Sequence, residues 1–315
     1  VPHIGEDSRV FREMTAFGNE LPGLTEVVGS DVQADVAIVL DYNNWWTCEF
    51  TPGPTALLNY LENLQAFHYP LFEQNITTDV IPVDRDLSKY KVVIAPLLYM
   101  VKPGFKQAIE KFVSEGGTFI TTFFSGVVNE YDEVFAGGYP GPLSNLLGLK
   151  VEEFEAMKPY IKNSLVMNGT LPNLSGEFES KLWCDILQLG TARPLAEYGS
   201  DFFKGSPALT VNQFGKGKAY YVATLPGNDF LRRFLKQVCA EQDVKPVMEV
   251  PEKVEAVVRS DGEHEYIFVL NHNDEPVDVN LPEGRYFDLL TQAPVKGAIR
   301  LDAVQSLILR KEPAG

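Results

Sequence analysis

Histidine, cysteine and basic side chains are all scarce in this sequence, and each shortage closes off a class of function. The 315 residues include three cysteines and four histidines. Cys48, Cys184 and Cys239 stand far apart without a CxxC pair, so neither a disulfide framework nor a zinc knuckle is expected. Such usage suits a reducing, cytoplasmic setting. Lys and Arg number 27 against 43 Asp and Glu, a formal net charge of −16. That sign repels phosphate backbones and anionic lipid, so nucleic acid and membrane surfaces are not expected as partners. No apolar run approaches the roughly 20 residues of a membrane-spanning helix. Three Asn-X-Ser/Thr triplets, at Asn75, Asn168 and Asn173, would matter only in a secreted eukaryotic protein, and chance accounts for them.

What is present is an ordinary globular composition, 45% hydrophobic and 22% charged, with length enough for two cores. Residues 8–21 read as an amphipathic helix: Ser8 is a capping residue, and Val10, Met14, Phe17 and Leu21 fall on one face. Pro22-Gly23 ends it, and a polar linker reaches Asp31. Helical and strand patterns then alternate, with strands at 36–41, 78–83, 91–95 and 117–122 and helices near 54–67 and 103–115. On the second helix Phe105, Ile109 and Phe112 form the buried stripe. This alternation predicts an α/β fold with a doubly wound parallel sheet. Residues 126–147 break the regularity, as functional or interfacial insertions do. Irregular β structure, a hairpin turning at Gly215-Lys-Gly217 and a helix near 227–242 complete the unit. Beyond Pro246 the period becomes two, predicting a small all-β sandwich.

The most informative stretch is Ala34-Asp-Val-Ala-Ile-Val-Leu-Asp-Tyr-Asn-Asn-Trp-Trp46. A buried-strand pattern ends in a polar, doubly aromatic turn, and Pro52-Gly53-Pro54 leads into the next helix. Turns at the carboxyl ends of parallel strands project groups toward ligands or partners. Asp41, Tyr42, Asn43, Asn44, Trp45 and Trp46 are therefore the candidate site residues. They suit a subunit or domain interface first, because Trp and Tyr dominate interface cores. Stacking on a sugar face, with the two amides bonding hydroxyls, is the other reading.

Other chemistries lack their parts. A bulky turn opening on Asp41 replaces the Gly-rich loop that dinucleotide or phosphate binding needs. Ser125, after the strand at 117–122, is the one position for an elbow nucleophile, as in a divergent amidotransferase-like hydrolase. No Gly stands two residues before it, and no histidine is a convincing base. His264 and His272 have no further partner to complete a metal site. Glu152, Glu153 and Glu155 read as a solvated strand edge. No catalytic residue, metal ligand or cofactor is assigned.

Taken in order, several segments resemble the back half of glycoside hydrolase family 42 β-galactosidases. They are Ser8-Arg-Val-Phe-Arg-Glu13, the 34–46 stretch and Leu87-Ser-Lys-Tyr-Lys-Val-Val-Ile-Ala-Pro96. Glu115-Gly-Gly-Thr118, Pro140-Gly-Pro-Leu143 with Leu147-Gly148, and Asn212-Gln-Phe-Gly-Lys-Gly-Lys-Ala-Tyr-Tyr221 complete the set. The resemblance implies a catalytic (β/α)8 barrel ahead of this sequence, which starts at Val1 and not Met. Residues 1–31 would be the barrel's last helix and a linker. Residues 32–245 would form a flavodoxin-like, class I glutamine-amidotransferase-like trimerisation domain, and 246–315 a C-terminal β-sandwich. The family's catalytic glutamates belong to the barrel, so this segment is expected to assemble a homotrimer and shape the edge of the active site. It would meet a galactoside only through the parent enzyme.

Overall fold

The computed structural model describes residues 3–50 and 53–313; Pro52, which opens the expected Pro-Gly-Pro breaker, lies outside the described residues. The chain forms two compact units, residues 34–245 and residues 1–33 together with 246–315. The sequence reading had set residues 1–31 apart from both.

Ser8 caps the first helix, α1 (Arg9–Glu20), by accepting from the Phe11 amide at 3.2 Å. Val10, Met14, Phe17 and Leu21 are all exposed, and no residue of α1 is buried. The polar linker expected after it contains a 3-10 helix, Leu21–Val27. Pro22 is tolerated at its start, where an N–H would lack a partner anyway. A short strand, β1 (Asp31–Val32), follows.

In the unit 34–245, β2 (Val36–Val39) is buried throughout, as an aliphatic run packed on both faces must be. Then come α2 (Tyr42–Phe50), α3 (Tyr60–Glu73), β3 (Thr78–Ile81), β4 (Val92–Ala95), α4 (Phe105–Glu115) and β5 (Thr118–Thr122). α3 starts later than the pattern suggested because Asn59 caps it, accepting from the Glu62 amide at 3.0 Å. It also continues through Pro70. Tyr60, Leu64, Phe67 and Leu71 bury one stripe, and that packing outweighs a single missing hydrogen bond. α4 buries Phe105, Ile109 and Phe112 as expected.

After α5 (Ser144–Leu147) come β6 (Leu149–Ala156), β7 (Asn163–Met167), β8 (Glu177–Leu189) and β9 (Arg193–Tyr198). The expected hairpin is β10 (Pro207–Phe214) with β11 (Gly217–Val222). Gly217 must stay bare, since a Cβ there would lie 2.1 Å from the Gly117 carbonyl oxygen. β12 (Thr224–Pro226) and α6 (Asn228–Glu241) close the unit.

The expectation of a parallel sheet needs correcting. The sheet has eleven strands and is mixed. β3, β2, β4, β5 and β11 lie side by side in that order and run parallel. From β11 onward the neighbours β10, β9, β7, β8 and β12, with β6 on β8, are antiparallel. The cause is visible in β6, where buried Leu149 and Val151 alternate with exposed Lys150 and Glu152. A strand with one wet face belongs to antiparallel pairing.

The second unit is all-β, as expected. It adds β13 (Val254–Ser260), β14 (Glu265–Asn271), β15 (Val277–Asn280), β16 (Tyr286–Asp288), β17 (Ala293–Val295), β18 (Ala298–Leu301) and β19 (Ser306–Lys311). β1, β13, β14, β19, β16 and β17 form a six-stranded sheet, and β15 pairs with β18. Val254, Val269, Val279, Leu301 and Leu309 fill its core. β1, β17 and β18 were not anticipated, being only two to four residues long.

Candidate functional site

The candidate residues do not form a turn. Asp41 follows the β2 run closely, and Tyr42 to Trp46 open helix α2, with the Trp45 amide donating to the Asp41 carbonyl at 2.9 Å. Tyr-Asn-Asn-Trp-Trp gives little sign of a helix, because none of these residues is a strong helix former. Contacts with the neighbouring β4 connection hold it instead.

Asn44 supplies most of those contacts. It is completely buried. Its Nδ2 donates to Asp41 Oδ2 at 2.7 Å and to the Met100 carbonyl at 3.2 Å, while its Oδ1 accepts from the Met100 amide at 2.7 Å. Asp41, also buried, has its second oxygen 2.5 Å from Lys102 Nζ, and its amide donates to the Tyr60 hydroxyl at 3.1 Å. Lys102 also donates to Asn43 Oδ1 at 2.8 Å. Of the two amides proposed as sugar ligands, Asn44 is thus fully engaged within the protein and Asn43 is engaged through its oxygen. The outer face differs. Tyr42 is 57% and Trp46 52% exposed, with their rings 5.9 Å apart, and Phe50 continues the patch at 80%. Trp45 packs on the core and donates to Glu49 at 2.5 Å.

A cleft of about 670 Å³ lies beside this network, between the ends of β2 and β3 and the start of α4. Asp41, Asn43, Asp84, Arg85 and Lys102 line it. It holds mixed charge without a nucleophile, and its lysine is committed to Asp41 and Asn43.

Ser125 is wholly buried, accepts from the Leu98 amide at 3.0 Å and shares a 2.9 Å hydrogen bond with Thr121. No histidine is among its partners. The left-handed backbone position that an elbow nucleophile would use belongs to Phe124 (φ 57). Its ring lies 4.8 Å from that of Trp183 and 4.7 Å from that of Tyr99. An aromatic plug therefore stands where a hydrolase of this type would need its reactive atom. Burial, with Asp132 and Glu49 nearby, pushes the Cys48 thiol up to about 12, far from thiolate chemistry. The histidines are dispersed: His68 stacks on Phe72, His264 meets Asp261 at 3.4 Å, and His272 meets Glu255 at 3.0 Å. Among the described residues no three His, Cys, Asp or Glu side chains are placed to hold a metal ion. No described helix is long and apolar enough to cross a membrane.

Sequence reasoning missed two things. One is Lys102, whose signal was faint: a lone cation in the connection between β4, the neighbour of β2, and α4. The other is Asp185 on β8, fully buried beneath the plug. It accepts from Tyr221 at 2.6 Å, Trp183 at 2.7 Å, Tyr139 at 3.2 Å and the Phe124 amide. Desolvation nevertheless outweighs these donors and raises its carboxyl to about 6.

Comparison with known proteins identifies the family. Residues 34–245 match the β-galactosidase trimerisation domain, and residues 253–311 match the β-galactosidase C-terminal domain. Beta-galactosidase BgaA of Planococcus sp. is 46% identical over 313 residues, which are 99% of this chain and 46% of that protein. Beta-galactosidase BgaB of Geobacillus sp. is 41% identical over 314 residues, again 99% of this chain and 46% of the relative. The crystal structure of the β-galactosidase from Bacillus circulans sp. alkalophilus superposes with a TM-score of 0.96 at 44% identity, covering 99% of this chain and 46% of that one. The chain thus spans about half the length of these relatives. With both domains matched in order along the sequence, the chain belongs to the glycoside hydrolase family 42 β-galactosidases, of which it carries the trimerisation and C-terminal domains.

Proposed function

We propose that this chain is the assembly and accessory region of a cytoplasmic β-galactosidase. The parent enzyme would hydrolyse terminal non-reducing β-galactosides with retention, through two carboxylates of a barrel outside the sequence given. Three copies would form a ring through the unit 34–245. The order β3-β2-β4-β5-β11 of its parallel strands, which is 2-1-3-4-5 counted along the chain, supports a flavodoxin-like, amidotransferase-like ancestry. The plugged elbow at Phe124 fits a fold kept for assembly after its own chemistry was lost. In the same reading, residues 1–31 supply the barrel's last helix and linker. The exposed stripe Val10, Met14, Phe17 and Leu21 supports this, since such a stripe needs a covering surface.

The observation that carries the proposal is the exposed aromatic face Tyr42, Trp46 and Phe50 on α2, braced from below by the buried Asn44. Large aromatics fixed on a rigid element and left open to solvent are the raw material of interface hot spots. Trp46→Ala is expected to raise the dissociation constant of the assembly by about 30-fold, the equivalent of a hot-spot loss of ~2 kcal/mol. Sedimentation velocity across a concentration series measures this. An unchanged distribution of species would remove Trp46 from the interface. The same two rings could instead stack on a sugar, and a galactoside titration that shifts their fluorescence in the monomer would favour that alternative.

A further inference from the structure

The irregular segment 126–147 presents a rigid acidic tip, and the same unit carries a groove of opposite character. At the tip, Asn129 Oδ1 accepts from the amides of Tyr131 at 2.9 Å and Glu133 at 3.0 Å, and the Asn129 amide donates to the Glu133 carbonyl at 2.9 Å. This tight turn holds Glu130, Asp132 and Glu133 outward, all exposed, around Tyr131 at 76% and Val134 at 73% exposure. The groove, of about 580 Å³, lies between α3, the β6–β7 connection and the start of α6. Leu57, Tyr69, Ile161 and Leu225 line it, with Lys158, Lys181 and Glu62. Lys158 and Lys181 are exposed; among the described residues no carboxylate closes a salt bridge with either, although Glu179, itself bridged to Lys162, lies near Lys181.

The geometry points to a head-to-tail contact in which the 129–134 tip of one copy enters this groove on the next. Resting on the reading above that the chain associates with itself, it names the two surfaces that meet. Tyr131 and Val134 supply apolar area for the groove floor, and a buried tyrosine removes roughly 150–250 Å² from water. Glu130 and Asp132 face Lys158 and Lys181. Charge selects the occupant: a chain of net charge −16 repels its own copies unless a locally cationic surface receives an acidic one. The tip and the groove are unlike surfaces, and their contact, repeated head to tail in one rotational sense, closes into a ring. The turn is already shaped by its own hydrogen bonds, which lowers the ordering cost of insertion.

Charge reversal in this 315-residue chain tests the proposal. Lys158→Glu with Lys181→Glu, and separately Glu130→Lys with Asp132→Lys, are each expected to raise the dissociation constant about tenfold or more, because like charges then face each other. A copy carrying all four reversals restores association to near the wild-type value, which also shows that the single sets had not merely unfolded. If the wild-type chain associates and either reversed set associates equally well, or the fourfold variant is no better than the worse set, the contact is refuted while the assembly reading stands. If the wild-type chain stays monomeric at all concentrations, both are overturned for this segment.

Discussion

Replacing Asp185 by Asn removes a charge from the middle of the mixed sheet while keeping the side chain's shape. In the wild type the carboxylate is fully buried and hydrogen-bonded, yet its carboxyl is raised from 3.8 to about 6. At about 1.4 kcal/mol per pH unit, folding with this group charged costs about 3 kcal/mol more than folding with it protonated. The sign follows. The folded state holds the proton more tightly than the unfolded state, so this contribution is fully present below pH 3.8 and is lost as pH rises through about 6. By about pH 4.5 roughly 2 kcal/mol of it has returned. Glu179 and Glu241, whose carboxyls are held low by hydrogen bonds from Lys162 and from Lys218, pull the other way and lose stability on acidification. The wild type alone therefore does not isolate the effect, whereas its difference from Asp185→Asn does. Trp45, Trp46 and Trp183 are the chain's three tryptophans, and all lie in the unit 34–245. Urea unfolding followed by their fluorescence therefore reports on that unit. Between about pH 7.5 and about pH 4.5 the stability difference should move by roughly 2 kcal/mol in favour of the wild type. A constant difference, or one that moves toward the Asn variant, would show that the four donors hold the carboxylate charged and that the desolvation argument is wrong.

Asn44→Ala strips a buried carboxylate and the Met100 backbone of their partners, and should destabilise the same unit by about 2–4 kcal/mol in urea unfolding. A loss below ~1 kcal/mol would mean that α2 is held by something other than this network. Ser125→Ala leaves the Leu98 amide without its acceptor and should cost about 1–2 kcal/mol. A serine-directed fluorophosphonate is expected to leave the wild-type chain unlabelled, and labelling at Ser125 would contradict the structural role assigned to it.

What was legible in the sequence was whatever the chain writes locally. β2 and β4 are buried aliphatic runs, β5 is a buried run of β-branched and aromatic residues, and α4 and α6 carry apolar stripes at helical spacing, so their positions follow from local pattern alone. What stayed hidden is set by neighbours distant along the chain. Asp185 sits among donors 36 and 46 residues away, Tyr221 and Tyr139, which strand pairing and the 126–147 segment bring to it. An acid in a strand gives no local sign that it will end wholly buried. Of the antiparallel half of the sheet, the sequence announces the β10–β11 hairpin through its Gly-Lys-Gly turn, and the rest only through the alternation in β6, which a bulge between Val151 and Glu153 interrupts.

The motif at 41–46 shows how much one wrong element conceals. As a turn, its six residues form a single exposed group, and all of them are candidates for the same contact. As the start of a helix they divide by spacing. Asp41, Asn44 and Trp45, at intervals of three and four, face inward to Lys102, Met100 and the core, whereas Tyr42 and Trp46, four apart, face outward. Asn44 reaches Met100 across 56 residues of chain, and that bond, invisible in the sequence, converts a string of poor helix formers into a rigid platform. The inward set therefore governs how firmly the outward set is held. Loosening Asn44 should weaken any contact that Trp46 makes, although Asn44 itself touches no partner.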